Sequence, residues 1–406
     1  MYKHFCRTCA SENLKPVVSF GNSPLANNLL NSVDEFTEVF PLEVEYCGNC
    51  HNIQLNYVVP AEKLFKYYLY VSSTTKSMRD HFENASSHYT SMFRLNENSF
   101  VIDIGSNDGV ALKPLKKKNI KVLGIEPATN IAKIATDNGI ETINDFFTDE
   151  IVHEILKKGK ADIITASNVF AHADDIEEIV KTSFKILKDD GSFIVEVQYI
   201  LDTINDLTFD NVYHEHVTYW SVSSLNNFFK KLDFKLYRVE HIDTHGGSIR
   251  VFVCKDSREV ESSVTEFLNN EIENGLTNYN TYLEFGNRIQ TAKNNVLNNI
   301  KKLKQAGISI VGYGSPAKAT TALNYFGITN KQIDYIIEDN ELKHNKVVPG
   351  VYIPIYSKEK VELNLPDIVL VLAWNFFEEV KANNKKLIDL GVRFVNIKEL
   401  QNENWN

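Results

Sequence analysis

The chain is short of cysteine, of long apolar runs and of positive charge, and each shortage removes a class of protein. Five cysteines in 406 residues do not make a secreted disulfide scaffold. The most apolar stretch, DIVLVLAWNFF at 367–377, is far too short to span a bilayer. It reads as a buried strand and its exit loop. No basic-then-apolar leader stands at the N-terminus, so the expected location is the cytoplasm. A formal net charge of −10 disfavours a nucleic-acid binder, which needs a basic face. It leaves room for a local basic pocket around a phosphorylated small molecule. What remains is an ordinary globular composition, 43% hydrophobic and 24% charged, in a chain too long for one core. Two or three domains are expected.

Four of the five cysteines form two C-x-x-C pairs, Cys6/Cys9 in FCRTC and Cys47/Cys50 in YCGNC. Each turn aims two thiolates at one centre, and four complete the tetrahedral shell of a structural Zn²⁺. A redox site is the rival reading, although it needs only one pair. With four sulfur ligands no position stays open for water, so this zinc would hold the fold and not perform chemistry. His4 and His51 flank the pairs and are not needed as ligands. Cys254, inside the apolar IRVFVC, reads as a small core residue.

In the middle, SFVIDIGSNDGVALKPLKKK (99–118) changes period partway. Residues 101–104 predict a buried parallel strand, 105–109 a tight turn, and a helix follows from about Val110. KVLGIEPA (121–128), ADIITASNVFAHADD (161–175) and GSFIVEVQYI (191–200) supply further strands, so a doubly wound α/β domain is expected. The turn is not G-x-G-x-x-G, and Asp103 would repel a pyrophosphate. Asp103, Gly105, Asn107 and Gly109 instead suit the cationic methionine part of S-adenosylmethionine. Glu126, ending the second strand, can accept hydrogen bonds from both ribose hydroxyls. Asp145 and Phe146 follow the next strand, where adenine would lie, with Phe146 or Phe147 over the ring or simply in the core. Asn168 closes the set at the exit of the crossover strand. The alternative is a glycine turn that serves only helix packing.

Residues 256–306 are polar with apolar residues at helical spacing, and predict helices that link two domains. ISIVGYGSPAKATTALNYFG (308–327) then repeats the strand, glycine turn and helix, and IDYIIEDN, DIVLVLAWN and RFVNIK add strands. This predicts a second Rossmann-like unit. Gly312 and Gly314 could cradle phosphate at a helix N-terminus, with Lys318 adding a charge. NAD, with Glu338 or Asp339 on its ribose, is one reading. A diphosphate-bearing substrate is the favoured one, because a cofactor already has a place in the middle domain. A fold that has lost its ligand is the third.

FDNVYHEHVTYWS (209–221) crowds two histidines, a glutamate and four aromatics into one stretch. It could be a metal site, a proton-transfer site or a polar corner of a core. Few further ligands lie nearby in sequence, and an imidazole with a pKa near ~6.5 is half-ready as a base at neutral pH. Proton transfer is therefore preferred. Glu215 could orient an imidazole or bind a hydroxyl. His214 reads as structural, and Asp210 as a cap or orienter of the loop.

The zinc knuckles, DIGSNDG, NVFAHADD, YHEH and GYGSPAK, in this order, resemble the sugar C-methyltransferases of the deoxysugar type. The likeness covers essentially the whole chain. It implies a zinc-binding domain (1–65), a class I S-adenosylmethionine-binding domain (66–255), and linker helices with a C-terminal Rossmann-like substrate domain (256–406). It implies a nucleoside-diphosphate 4-keto-6-deoxy sugar as substrate. It further implies that His216 removes the proton beside the ketone, with Tyr213 on the oxygen charge, and that the enolate takes the cofactor's methyl. His172 matches a second active-site histidine, and Tyr67 a tyrosine near the sugar, with Tyr68 and Tyr70 beside it. O-methylation of a hydroxyl would need less of this apparatus. Two positions depart from the pattern: Ala319, where glycine is usual, and Gln198, where proline is common. They bear on which sugar is taken more than on the reaction.

Overall fold

A computed structural model of the chain describes residues 1–65, 68, 70–403 and 405, without the side chains of His245, Glu362 and Leu363. Three sheets organise these residues.

The first is antiparallel. It is built from β1 (Leu14–Pro24), β2 (Val39–Cys47) and β3 (Ile53–Leu55), with a short fourth strand, Thr218–Tyr219, from far along the chain. The second C-x-x-C pair lies at the end of β2. The borrowed strand directly follows the Tyr213–His216 stretch, so pairing Ile53 with Tyr219 and Gln54 with Thr218 fixes that stretch against the cysteine-bearing module.

The second sheet contains β4 (Phe100–Ile104), β5 (Lys121–Ile125), β6 (Thr142–Ile143), β7 (Ala161–Ser167) and β8 (Leu187–Gln198). With the borrowed strand counted as β9, β10 (Lys235–Ile242) and β11 (Ser248–Cys254) complete it. The order is β10-β11-β8-β7-β4-β5-β6. The five strands from β8 to β6 run parallel, and β11 is antiparallel to both its neighbours. All five residues of β4 are buried, as expected for a parallel strand covered on both faces. The winding reverses between β4 and β7, which opens a ligand crevice at their C-terminal ends. A helix at Lys76–Met92, its N-terminus capped by Thr75, lays Met78, Phe82, Ala85 and Tyr89 over this region.

The third sheet is wholly parallel: β12 (Ile310–Tyr313), β13 (Ile336–Ile337), β14 (Ile355–Tyr356), β15 (Ile368–Val371) and β16 (Arg393–Asn396). Its order, β14-β13-β12-β15-β16, places the turn after β12 at its own switch point. The helix Tyr279–Gln305 reaches this unit from the first sheet. It buries Tyr282, Phe285, Ile289, Ala292, Val296 and Ile300, a stripe with steps of three and four residues. Tyr282 rests against Tyr46 of β2, while Asn299 Nδ2 donates to the carbonyls of Leu400 and Asn402. One apolar core accordingly runs through all three sheets, from Val17 to Leu400. Among the described residues no helix is long and apolar enough to cross a membrane.

Candidate active site

The four knuckle cysteines meet. Their sulfurs all lie within 4.8 Å of one another, with Cys6 to Cys50 at 3.5 Å and Cys9 to Cys47 at 3.6 Å. Tetrahedral zinc with bonds of about 2.3 Å spaces its sulfurs by roughly 3.8 Å, so the donor set fits that ion. His51 is engaged elsewhere, its Nδ1 2.5 Å from the Tyr46 hydroxyl.

At the crevice of the second sheet, the turn after β4 takes left-handed conformations at Gly105 (φ 62), Asn107 (φ 49) and Gly109 (φ 77). A Cβ on Gly105 would stand 2.6 Å from Val169 Cγ2, so only glycine lets the loop after β7 close on the turn. Asp103 is buried beside Thr165, which donates to it at 2.6 Å. Burial, aided by the nearby charges of Glu126 and Glu196, pushes its carboxyl up to about 7. Glu126 is buried too and raised, while it accepts from the backbone N–H groups of Asn107 (2.9 Å) and Ala128 (2.8 Å). Ser106 Oγ and Asp108 Oδ1 are buried without hydrogen-bond partners. Two acids held in low dielectric, next to unsatisfied polar atoms, fit a ligand that brings a cation and hydroxyls. Asn168 stands at the exit of β7 with φ 58, and its N–H donates to Glu196 O at 2.7 Å. Phe147 is core and Phe146 half-buried, so of the two only Phe146 is available to a ligand. Asp145 is exposed, and its Oδ1 accepts from the Phe146 N–H.

The YHEH loop sits beside this crevice, and all four of its side chains are buried. His216 Nδ1 lies 2.8 Å from the Asn211 carbonyl. A carbonyl only accepts, so Nδ1 carries the proton and Nε2 of the neutral ring is the basic nitrogen. That Nε2 is 2.9 Å from the Tyr213 hydroxyl. Burial first, then the charge of Glu215, raises the Tyr213 pKa well above its usual 10, so this phenol stays a donor. The His172 ring packs edge-on to His216, centroids 4.8 Å apart. Burial lowers its pKa to about 4, so it is neutral at pH 7.

Glu215 is tied to the N-terminal module and to Tyr68. It accepts from Tyr68 Oη (2.8 Å) and Asn27 Nδ2 (2.6 Å). His214 is held by the carbonyls of Phe40 and Pro41, each 3.2 Å from its Nε2, in a structural position. Asp210 accepts from Trp374 Nε1 at 2.5 Å, which ties the loop to the third sheet. Lys318 joins the same junction, its Nζ 4.7 Å from the Trp374 ring centre. Tyr67 lies outside the described residues. Described residues just after it reach both centres: Tyr68 exchanges hydrogen bonds with Asn130, the backbone N–H of Ser72 donates to Asn107 Oδ1, and Asn107 Nδ2 donates to the Tyr70 carbonyl. Sequence reasoning missed Asn27, Asn211 and the role of Tyr68. Asn27 and Asn211 belong to no motif, and Asn211 acts through its backbone.

In the turn after β12 the N–H groups of Gly312 and Gly314 donate to Tyr335 O and Ile337 O, each at 2.8 Å. The N–H and Oγ of Ser315 both donate to Glu338 Oε2, at 2.8 and 2.6 Å.

Known proteins share this organisation. The family profile "Putative zinc binding domain" matches residues 6–65, "Methyltransferase domain" residues 78–239, and "C-methyltransferase C-terminal domain" residues 243–397. The C-methyltransferase NovU of Streptomyces niveus is 34% identical over 395 residues, which covers 96% of this chain and 94% of that protein. A mitochondrial ubiquinone biosynthesis O-methyltransferase of Bos taurus is 28% identical over 103 residues, 23% of this chain and 27% of its own. The solved magnesium protoporphyrin IX methyltransferase of Synechocystis PCC 6803 aligns with 44% of this chain and 83% of its own, at 11% identity and a TM-score of 0.35, a score that adds no argument. Fold, cysteine centre and family profiles together define an S-adenosylmethionine-dependent methyltransferase with a zinc-binding N-terminal domain. More narrowly, the chain belongs to the sugar C-methyltransferase family that its motifs resemble.

Proposed function

We propose that the enzyme methylates a ring carbon, C-3, of a nucleoside-diphosphate-linked 4-keto-6-deoxy sugar in the cytoplasm. The observation that carries this reading is the His216–Tyr213 pair: a base with its tautomer fixed, next to a phenol that keeps its proton. Carbon next to a ketone is a weak acid, and its deprotonation needs both a base and a donor for the developing oxyanion. His216 Nε2 takes the proton, and the C–H electron pair moves toward the ketone oxygen. The Tyr213 hydroxyl turns from Nε2 to that oxygen. S-adenosylmethionine, when bound, supplies the electrophilic methyl that the carbon receives. Asp103 would hold its ammonium group and Glu126 its ribose, with Gly105, Asn107 and Gly109 shaping the turn, and Asp145, Phe146 and Asn168 around the adenine end. His172, neutral, packs the base in place, and Glu215 with Tyr68 binds a sugar hydroxyl. Tyr67 remains a candidate contact to the sugar. Lys318 faces the diphosphate. The zinc is structural.

The test is the purified enzyme in D₂O with methyl-labelled S-adenosylmethionine and a panel of nucleoside-diphosphate 4-keto-6-deoxy sugars, read by mass spectrometry and NMR. A new carbon-bound methyl beside the ketone is expected. A methyl on oxygen would overturn the carbon assignment. Neither methylation nor deuterium exchange on any sugar of the panel would remove the keto-sugar reading.

A further inference from the structure

The arginine inside the first zinc knuckle points away from the zinc and into the active-site loops. Arg7 follows Cys6, yet its side chain is only 2% exposed. Nη1 donates to Leu55 O of β3 at 2.8 Å and to Val217 O at 3.1 Å. Nε donates to Asp174 Oδ1 at 3.0 Å. Val217 directly follows His216, and Asp174 stands two residues after His172. The two loops also bond each other, since Val217 N–H donates to Ala171 O at 2.7 Å. The arginine's own backbone is fixed in turn: its N–H donates to Gln54 Oε1 at 2.9 Å, and Gln54 Nε2 donates to Phe5 O at 3.1 Å. A planar, rigid donor fork thus spans the cysteine module and both histidine loops, where a flexible cation would not fix direction.

We infer that Arg7 is a positioning residue that couples the knuckle to the His172 and His216 loops and holds the two imidazoles in register for turnover. The zinc module then does more than stabilise its own fold, because the knuckle sets where this guanidinium points. The inference rests on the proposed roles of the two histidines, and its test separates the two.

The experiment uses the full-length enzyme as Arg7→Met and Asp174→Asn variants. It measures zinc content, S-adenosylmethionine affinity, kcat, and the imidazole NMR signals of isotope-labelled histidine. Arg7→Met is expected to keep its zinc and its cofactor affinity, to shift the His172 and His216 signals, and to lose about tenfold to hundredfold in kcat, the scale set by sub-ångström to ångström misplacement of reacting groups. Asp174→Asn, at a more exposed site, should move the His172 signal and lower kcat less. Unmoved signals and unchanged kcat in a zinc-loaded Arg7→Met enzyme would overturn the inference. If that variant does not fold, the same null result in Asp174→Asn overturns it. Signals that move while kcat stays unchanged would also overturn it, because turnover would then not depend on the register that Arg7 sets; the histidines' own roles are tested separately by His216→Asn.

Discussion

Glutamine at position 215 is expected to flatten part of the enzyme's pH–stability curve. Glu215 is 2% exposed, and burial pushes its carboxyl from 4.5 up to about 7, against the bonds from Tyr68 and Asn27. An acid with a raised folded pKa binds its proton more tightly folded than unfolded. Its contribution to stability is therefore fully present below pH 4.5 and is lost as pH rises through about 7. Linkage gives a loss of about 2 kcal/mol between roughly pH 5.5 and 8.5. Glutamine cannot titrate. Its single oxygen must also serve two donors, a penalty of about 1–3 kcal/mol at every pH.

The stability gap between wild type and Glu215→Gln should consequently be largest in acid and close by about 2 kcal/mol in base. The titrations of His172, His214 and Asp103, and any acid weakening of the zinc site, occur in both proteins and cancel in the gap. With an unfolding entropy near 2.1 cal/mol/K per residue over 406 residues, that closure is about 2 °C in melting temperature. The assay is thermal unfolding of both proteins, zinc-saturated, in overlapping buffers across this range. A gap that stays constant would refute the argument that burial holds this carboxyl near neutrality.

Other perturbations follow from the same site. His216→Asn should cut kcat by about 10²–10⁴-fold and abolish deuterium exchange beside the ketone, with cofactor affinity by calorimetry unchanged; retained exchange would exclude His216 as the base. Removing zinc with a chelator should lower the melting temperature and expose the four thiols to a thiol reagent, since closed four-sulfur sites fold with their metal. Thiols that stay protected after metal loss would show that the core alone holds the module.

How far the chain was legible varied by element, for physical reasons. Parallel strands such as β4 and β15 are nearly continuous apolar runs, so period and length reveal them. The cysteine pairs were legible because metal geometry demands their spacing. The antiparallel sheet of β1 to β3 was not, because its fourth strand arrives from residue 218, and pairing at that separation leaves no local signal. The loop at 209–221 shows the same division. Tyr213 and His216 announce themselves as residue types. The Asn211 carbonyl that selects the tautomer could belong to any residue, and the Asn27 amide reaches Glu215 across 188 positions. Such partners exist only after the sheets are joined.

The C-terminal turn is where sequence grammar and chemistry part. GYGSPAK has the spacing of a phosphate cradle, and Glu338 accepts from the N–H and Oγ of Ser315 while its other oxygen accepts from the Asn340 N–H at 3.1 Å, as Glu126 does with Asn107 and Ala128. Lys343 donates to Ser315 O at 2.8 Å and further secures the turn. Gly314, at φ 83, is needed for packing, since a Cβ there would stand 2.8 Å from Ala373 Cβ. A second anion on this turn would meet a carboxylate. Lys318, one turn further along, instead faces the junction with the His216 loop. Burial lowers its pKa to about 8, with the charge of Asp210 opposing, so it is still mostly a cation at neutral pH. If the diphosphate is read by Lys318, then Lys318→Met should raise KM for the nucleotide sugar about tenfold, as for a lost charge-assisted bond, with a smaller change in kcat. Glu338→Gln should leave KM nearly unchanged. The opposite pattern, KM governed by Glu338 and indifferent to Lys318, would return the diphosphate to the glycine turn and require Glu338 to swing aside when substrate enters.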